Sequence, residues 1–203
     1  MVDANETALL QGARDGDLTA FEQLQALLDA PARRFVRRLI GRSDAEDDIV
    51  QNAFFALYKN LERLDVGEKL RPFLFRVLRN QCYDQLRRLG RYDVISLDDD
   101  SDDVDRTELA VDQRPQPEES AHWLMLYNEV QMAIQRLPEL QRQTLLLYTE
   151  AGLSYQEIAD AMGVSIGTVK SRLHNGKRNL VSMLHPDTLY ALDVAAQGEP
   201  SDE

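Results

Sequence analysis

Ser154-Tyr155-Gln156-Glu157-Ile158-Ala159-Asp160-Ala161-Met162-Gly163-Val164-Ser165-Ile166-Gly167-Thr168-Val169-Lys170-Ser171-Arg172-Leu173 is the stretch on which the reading of this chain turns. Ser154 stands three residues before Glu157, the spacing at which hydroxyl and carboxylate each accept a backbone N–H at a helix start. Ile158, Ala159 and Met162 share one face of a short helix, and Gly163 suits the left-handed position that ends it. Ser165 then caps a second, longer helix. A short helix, a glycine-containing turn and a longer helix outline a helix-turn-helix, whose second helix reads DNA in the major groove.

That second helix divides by face. Ile166, Val169, Leu173, Leu180 and Met183 fall on the inward side; Thr168, Ser171, His174, Asn175 and Arg178 fall outward, flanked by Lys170, Arg172 and Lys177. From Ser165 to Leu184 there are four cations and no acid. Hydroxyls, an amide and guanidinium groups suit base edges, and flanking cations suit phosphates. An ordinary αα-hairpin is the competing reading, against which the two caps, the glycine turn and the one-sided charge all weigh. Gly176 lies inside this helix, where glycine costs roughly 1 kcal/mol relative to alanine. Nothing local in the sequence accounts for it.

Upstream, Trp123, Leu126, Tyr127, Val130, Ile134 and Leu137 form one helical stripe. Pro138 opens a further helix at its first turn, where its missing N–H is harmless, and that helix runs to about Glu150 and stops by Gly152. Before this lies an acidic tract. Residues 91–120 hold three basic and eleven acidic side chains, against a net charge of -12 for the whole chain. With Pro115 and Pro117 and few apolar residues, residues 93–119 read as a flexible acidic linker. The overall negative charge therefore does not exclude a nucleic-acid partner, because the flanking parts can still present basic faces.

The first part is also helical in pattern. Leu18, Phe21, Leu24 and Leu28 form a stripe that Pro31 is expected to interrupt, and Phe35, Val36, Leu39 and Ile40 resume it before Gly41. A helix is expected from about Ala45 to Leu64, with Val50, Ala53, Phe54, Leu57, Tyr58 and Leu61 on one face. Asp44, Glu46, Asp47 and Asp48 crowd its first turn, where the helix dipole favours negative charge. The next helix, about Arg71 to Leu89, carries Leu74, Val77, Leu78, Cys82 and Leu86 on one face and Arg76, Arg79, Asn80, Tyr83 and Arg87 on the other. The basic face with its aromatic suits DNA, and a merely solvated face is the alternative. Arg88 and Arg91 follow with no acid between them, which favours DNA.

Composition narrows the class. The 203 residues, 43% of them hydrophobic, suffice for one large or two small domains. No apolar run reaches the roughly 18 residues of a membrane span, and the start lacks a basic region followed by an apolar run, so a cytoplasmic protein is expected. The single Cys82 among core positions reads as a small buried hydrophobe, and with three scattered histidines no metal-ligand spacing exists. No paired carboxylates, Ser-His or Cys-His arrangement points to catalysis, so no catalytic residue, metal or cofactor is expected. Expected architecture is all-α, with no alternating β-branched run.

Two stretches carry a family resemblance. Tyr155 to Ala159 followed by Gly163 to Leu173 resembles the fourth-region helix-turn-helix of extracytoplasmic-function sigma factors, group IV of the sigma-70 family. Ala45 to Phe54 resembles that family's second-region helix, and Phe73 to Asn80 with Asp84, Arg87 and Arg88 resembles its melting and minus-ten-reading helix. The resemblance implies a region 2 bundle over 1–92, the acidic linker over 93–119 and a region 4 domain over 120–184; the C-terminal tail over 185–203, with Leu189, Leu192 and Val194 before an acidic end, reads as a fraying terminus in preference to a small docking segment.

What the resemblance implies is a non-enzymatic transcription initiation factor. Asp47, Asp48, Gln51 and Phe54 would dock on core RNA polymerase. Arg76, Arg79, Asn80, Tyr83, Asp84 and Arg87, with the loop from Asp65 to Leu70, would hold the melted minus-ten element of promoter DNA. Thr168, Lys170, Ser171, Arg172, His174, Asn175 and Arg178 would read the minus-thirty-five element. An anti-sigma factor is the implied regulatory partner. The competing function is a one-component transcriptional regulator, which needs a sensor domain with strands that the first ninety residues do not show; a helical enzyme is a third.

Overall fold

The computed structural model describes residues 4–41, 43–64, 70–90 and 118–197, which are helical apart from short turns and connecting residues. The first half contains α1 (Ala4–Arg14), α2 (Leu18–Ile40), α3 (Glu46–Lys59) and α4 (Leu70–Arg88). The second contains α5 (Glu118–Gln135), α6 (Glu139–Thr149), α7 (Tyr155–Met162), α8 (Ile166–Met183) and α9 (Pro186–Gln197). Among the described residues there is no strand, as an all-α chain requires. The linker 93–117 and the loop 65–69 lie outside the described residues; α5 takes in Glu118 and Glu119, which the sequence assigns to the linker.

Local chemistry sets most boundaries. The Asp17 carboxylate accepts the Thr19 and Ala20 N–H groups at 2.8 and 3.3 Å, which starts α2. Gly41, with φ 78°, ends it. The expected break at Pro31 does not occur, since α2 runs straight through it. An interior proline costs about 3 kcal/mol. Leu24, Leu28, Ala32, Phe35 and Val36, on both sides of Pro31, are all fully buried, and each large apolar side chain contributes about 1.5–3 kcal/mol. Packing therefore outweighs the local penalty. Helix α3 stops earlier than the periodicity suggests, because the Asn60 side chain donates to Ala56 O at 2.8 Å and the chain tightens into a 3-10 turn over Leu61–Arg63.

In the second half the capping box forms as spaced. Ser154 Oγ accepts the Glu157 N–H at 3.3 Å and the Glu157 carboxylate accepts the Ser154 N–H at 2.7 Å. Gly163 takes the left-handed conformation, φ 69° and ψ 35°, that terminates α7. Gly176 also finds its reason: α8 crosses α6 there, and a Cβ would lie 3.4 Å from Gln141 Cβ. The stripe on α5 is only partly correct. Leu126, Ala133, Ile134 and Leu137 are buried, while Trp123 and Tyr127, toward its amino-terminal end, stay about half exposed. The residues from Pro186 to Gln197 form a helix rather than a fraying terminus. Glu129 on α5 accepts the His185 N–H at 2.6 Å and the Thr188 hydroxyl, supplying a cap from outside the helix.

The two halves pack together. One continuous apolar core extends from Leu10 through Leu173, with α2 against α5 and α6, and α4 against α7. No helix among the described residues is long and apolar enough to cross a membrane.

Candidate nucleic-acid interface

Helix α8 presents Lys170, Ser171, His174, Lys177 and Arg178 to solvent along one side. Its start is rigid: Ser165 Oγ accepts the Thr168 N–H at 3.1 Å and shares a hydrogen bond with Thr168 Oγ1 at 2.9 Å. Thr168 and Asn175 are half-buried at the edge of this face. Lys177 Nζ sits 5.4 Å above the Tyr148 ring, and Asn179 donates to Gln141 at 2.9 Å, so α6 holds the back of the helix. Ile166, expected inward, is substantially exposed at the first turn. Arg172 departs more seriously from expectation. It is 5% exposed, with Val169, Leu173 and Gly176 on the buried side of α8, and its stem packs inside instead of flanking the outward face. Its placement on the DNA face is therefore corrected.

The face of α4 is divided in use. Arg76 is exposed, its guanidinium 5.7 Å from the Phe73 ring; Asn80 is exposed; Asp84 and Arg87 are exposed and paired at 3.0 Å. Arg79 and Tyr83 are not open. The Arg79 guanidinium stacks 5.1 Å over the Tyr83 ring while its Nε donates to Gln143 Oε1 on α6 at 3.0 Å. The Tyr83 hydroxyl donates to Glu139 Oε1 at 3.0 Å, and its ring is 5% exposed. Burial pushes the Glu139 carboxyl up from the ordinary carboxylate range, with Arg142 and Arg79 pulling the other way. Cys82, on the opposite face of α4, is fully buried, and burial raises its thiol far above the ordinary range, so it is an inert core residue as its position suggests.

On α3 the acidic first turn is open in part, Glu46 being held by Arg37 and only 12% exposed. Asp47 is 71% exposed and pairs with Arg33; Asp48 and Gln51 are exposed. Phe54 is buried in the core of the first half, so its expected place in a docking surface is also corrected. Phe55 is the exposed aromatic, with Lys59 Nζ 4.1 Å from its ring. Periodicity already separates the two, since Phe54 falls among Val50, Ala53, Leu57 and Leu61 on the apolar stripe while Phe55, about 100° further round the helix, falls outside it. No cluster of metal-ligating side chains occurs among the described residues.

Comparison with known proteins fits this geometry. Residues 21–92 match the family described as Sigma-70 region 2, and residues 127–180 match Sigma-70, region 4. The ECF RNA polymerase sigma factor EcfG of Rhodopseudomonas palustris (strain TIE-1) is 30% identical over 179 residues, spanning 88% of each chain. The RNA polymerase sigma factor NccH of Alcaligenes xylosoxydans xylosoxydans is 33% identical over 184 residues, spanning 88% of this chain and 94% of that protein. Among solved structures, the sigma factor RpoE of Bartonella quintana, in complex with the anti-sigma factor NepR, aligns with a TM-score of 0.63 at 27% identity over 84% of this chain and 99% of that one.

Proposed function

The chain belongs to the extracytoplasmic-function sigma factors of the sigma-70 family, and on that premise we propose how its surfaces divide the work of promoter-specific initiation. It binds core RNA polymerase and directs it to promoter DNA, recognising a minus-thirty-five element with the second half and a minus-ten element with the first. It works in the cytoplasm, as a binding factor with no catalysis of its own. An anti-sigma factor restrains it, as one binds the Bartonella relative.

The single observation that carries this reading is the pairing, in one chain, of a capped helix-turn-helix whose second helix exposes Lys170, Ser171, His174, Lys177 and Arg178 with a separate α4 face exposing Arg76, Asn80 and Arg87. The first face suits duplex DNA, with cations for phosphates and polar groups for base edges. The second suits single-stranded DNA, where rings stack and cations follow the backbone. The assignment retains Thr168, Lys170, Ser171, His174, Asn175 and Arg178 on α8, and Arg76, Arg79, Asn80, Tyr83, Asp84 and Arg87 on α4. Asp47, Asp48 and Gln51 form the polymerase-docking surface, and Phe55 takes the place first given to Phe54.

The test is a reconstituted transcription assay. Core polymerase with this chain starts transcripts from a promoter that core alone ignores, and permanganate reactivity marks the opened minus-ten bases. A chain that binds core but starts no specific transcript from any promoter of a genomic library would overturn the reading.

A further inference from the structure

Helix α1 carries none of the residues assigned to either DNA face, yet it touches the elements on both sides of the loop 65–69. It is itself firmly seated. Leu10 is fully buried, Ala13 is buried, and a Cβ on Gly12 would lie 3.0 Å from Ala20 Cβ on α2. At its carboxy-terminal end α1 packs on the 3-10 turn, where the Arg14 guanidinium donates to Glu62 O at 3.4 Å. Near its start Glu6 meets Arg71 in the first turn of α4. Arg71 Nε donates to both Glu6 carboxylate oxygens at 2.9 Å, and a terminal amino group bonds one of them as well. The other terminal amino group donates to Ala151 O at 3.1 Å. Glu6 is 3% exposed, the one buried charged side chain among the described residues of the first half.

A buried ion pair adds little net stability, because desolvating two charges offsets most of their attraction, and an apolar pair of similar volume would join α1 to α4 as well. What the pair supplies, and apolar contact does not, is direction. A guanidinium fork fits a carboxylate in one plane, whereas apolar burial such as that of Leu74 and Leu78 is non-directional and tolerates small turns and slides of the helix. We propose that Glu6 is a positioning residue for minus-ten reading: through Arg71 it fixes the rotation and height of α4, and so the setting of Arg76 and Asn80, both exposed further along that helix. A rigid helix carries a turn at its start unchanged to both side chains. Groups that recognise a ligand must be held to about 0.5 Å and 10–20°. A misplacement of about 1 Å costs on the order of a hundredfold where geometry is critical. The inference rests on the reading of Arg76 and Asn80 as minus-ten contacts.

The experiment uses holoenzyme, the full chain bound to core polymerase, on a promoter it opens and on copies of that promoter each changed at one minus-ten base. The measured quantity is the ratio of transcript from the unchanged promoter to transcript from each changed copy, at subsaturating protein. Loss of folded protein, or any conformational cost that precedes promoter binding, lowers both transcripts equally, so stability alone does not move the ratio. Glu6→Gln is expected to lower the ratio about tenfold at the base where the unaltered chain discriminates best, with duplex binding at the minus-thirty-five element unchanged. Arg71→Lys keeps a positive charge opposite Glu6 but loses the planar fork, so it is expected to fold and still to lower the ratio. Val36→Ala truncates a fully buried core residue of α2 and is expected to reduce stability and leave the ratio as it is. An unchanged ratio in folded Glu6→Gln or Arg71→Lys holoenzyme, or an equal fall in Val36→Ala, overturns the positioning role, while the minus-ten reading of α4 stands provided Asn80→Ala lowers the ratio. Unchanged ratios in both Arg76→Ala and Asn80→Ala overturn that reading, and the inference with it.

Discussion

Gly176 on α8 lies against Gln141 on α6 so closely that an added Cβ would sit 3.4 Å from Gln141 Cβ and 3.7 Å from its carbonyl oxygen. The two helices meet at van der Waals contact there, and the missing side chain is what lets them. Asn179, one turn on, donates to the Gln141 side chain at 2.9 Å and fixes the same crossing. A residue that weakens α8 locally thus sets the seat of the DNA-reading helix on its support.

Gly176→Ala is expected to be close to neutral, because roughly 1 kcal/mol of helix propensity is gained while a methyl group is placed at the limit of contact. Gly176→Leu has no such room and is expected to destabilise by about 1–3 kcal/mol, the usual cost of overpacking. Urea unfolding of both variants checks this; equal stability of the two would show that the crossing is loose.

Lys170 and Arg172, two residues apart, should behave differently. Lys170→Ala removes an exposed cation and is expected to lower the salt slope of duplex binding by about 1. Arg172→Ala removes a packed stem from beneath α8 and is expected to cost about 1–3 kcal/mol of stability, with the salt slope of the folded fraction unchanged. Binding titrations across a salt series, beside thermal unfolding, separate the two effects.

Phe54 and Phe55 form a similar pair. Truncating the buried Phe54 to alanine is expected to cost about 3–5 kcal/mol of stability through the cavity it leaves. Phe55→Ala should leave stability within about 0.5 kcal/mol and Asp48→Asn within about 1 kcal/mol, the size of one charge at a helix start, and both should instead weaken binding to core polymerase. A pull-down or titration with core polymerase measures this, and unchanged affinity for both variants would remove α3 from the docking surface.

The seat of α9 is expected to depend on pH. The Thr188 hydroxyl and the His185 N–H hold the Glu129 carboxyl below its ordinary value. A lowered folded value means that this contribution is complete above the unfolded value of about 4.3 and is lost as pH falls through the folded one. The protection of amides 186–197, measured against the intrinsic exchange rate at each pH, should therefore fall at acid pH. Glu129→Gln should show fast exchange at every pH; if it shows the same acid-dependent loss as the unaltered chain, Glu129 is not the cap.

Short-range chemistry was readable without coordinates. The Ser154–Glu157 box, the Gly163 turn and the Ser165 cap each join atoms within a few residues, and the two faces of α4, Cys82 included, follow from 3.6 residues per turn. Those features determined an all-α chain with a helix-turn-helix and a second basic helix. Local sequence has no access to what a side chain meets across the molecule. Pro31 stays helical because core residues on both sides of it are buried, Arg172 goes inside because of the packing under α8, and Gly176 exists for Gln141, 35 positions earlier. Glu129 caps a helix 56 residues downstream, and Tyr83 meets Glu139 over the same separation. Tertiary packing alone decided these pairings, because burial and hydrogen-bond satisfaction are sums over neighbours in space, while propensity and periodicity count only neighbours along the chain.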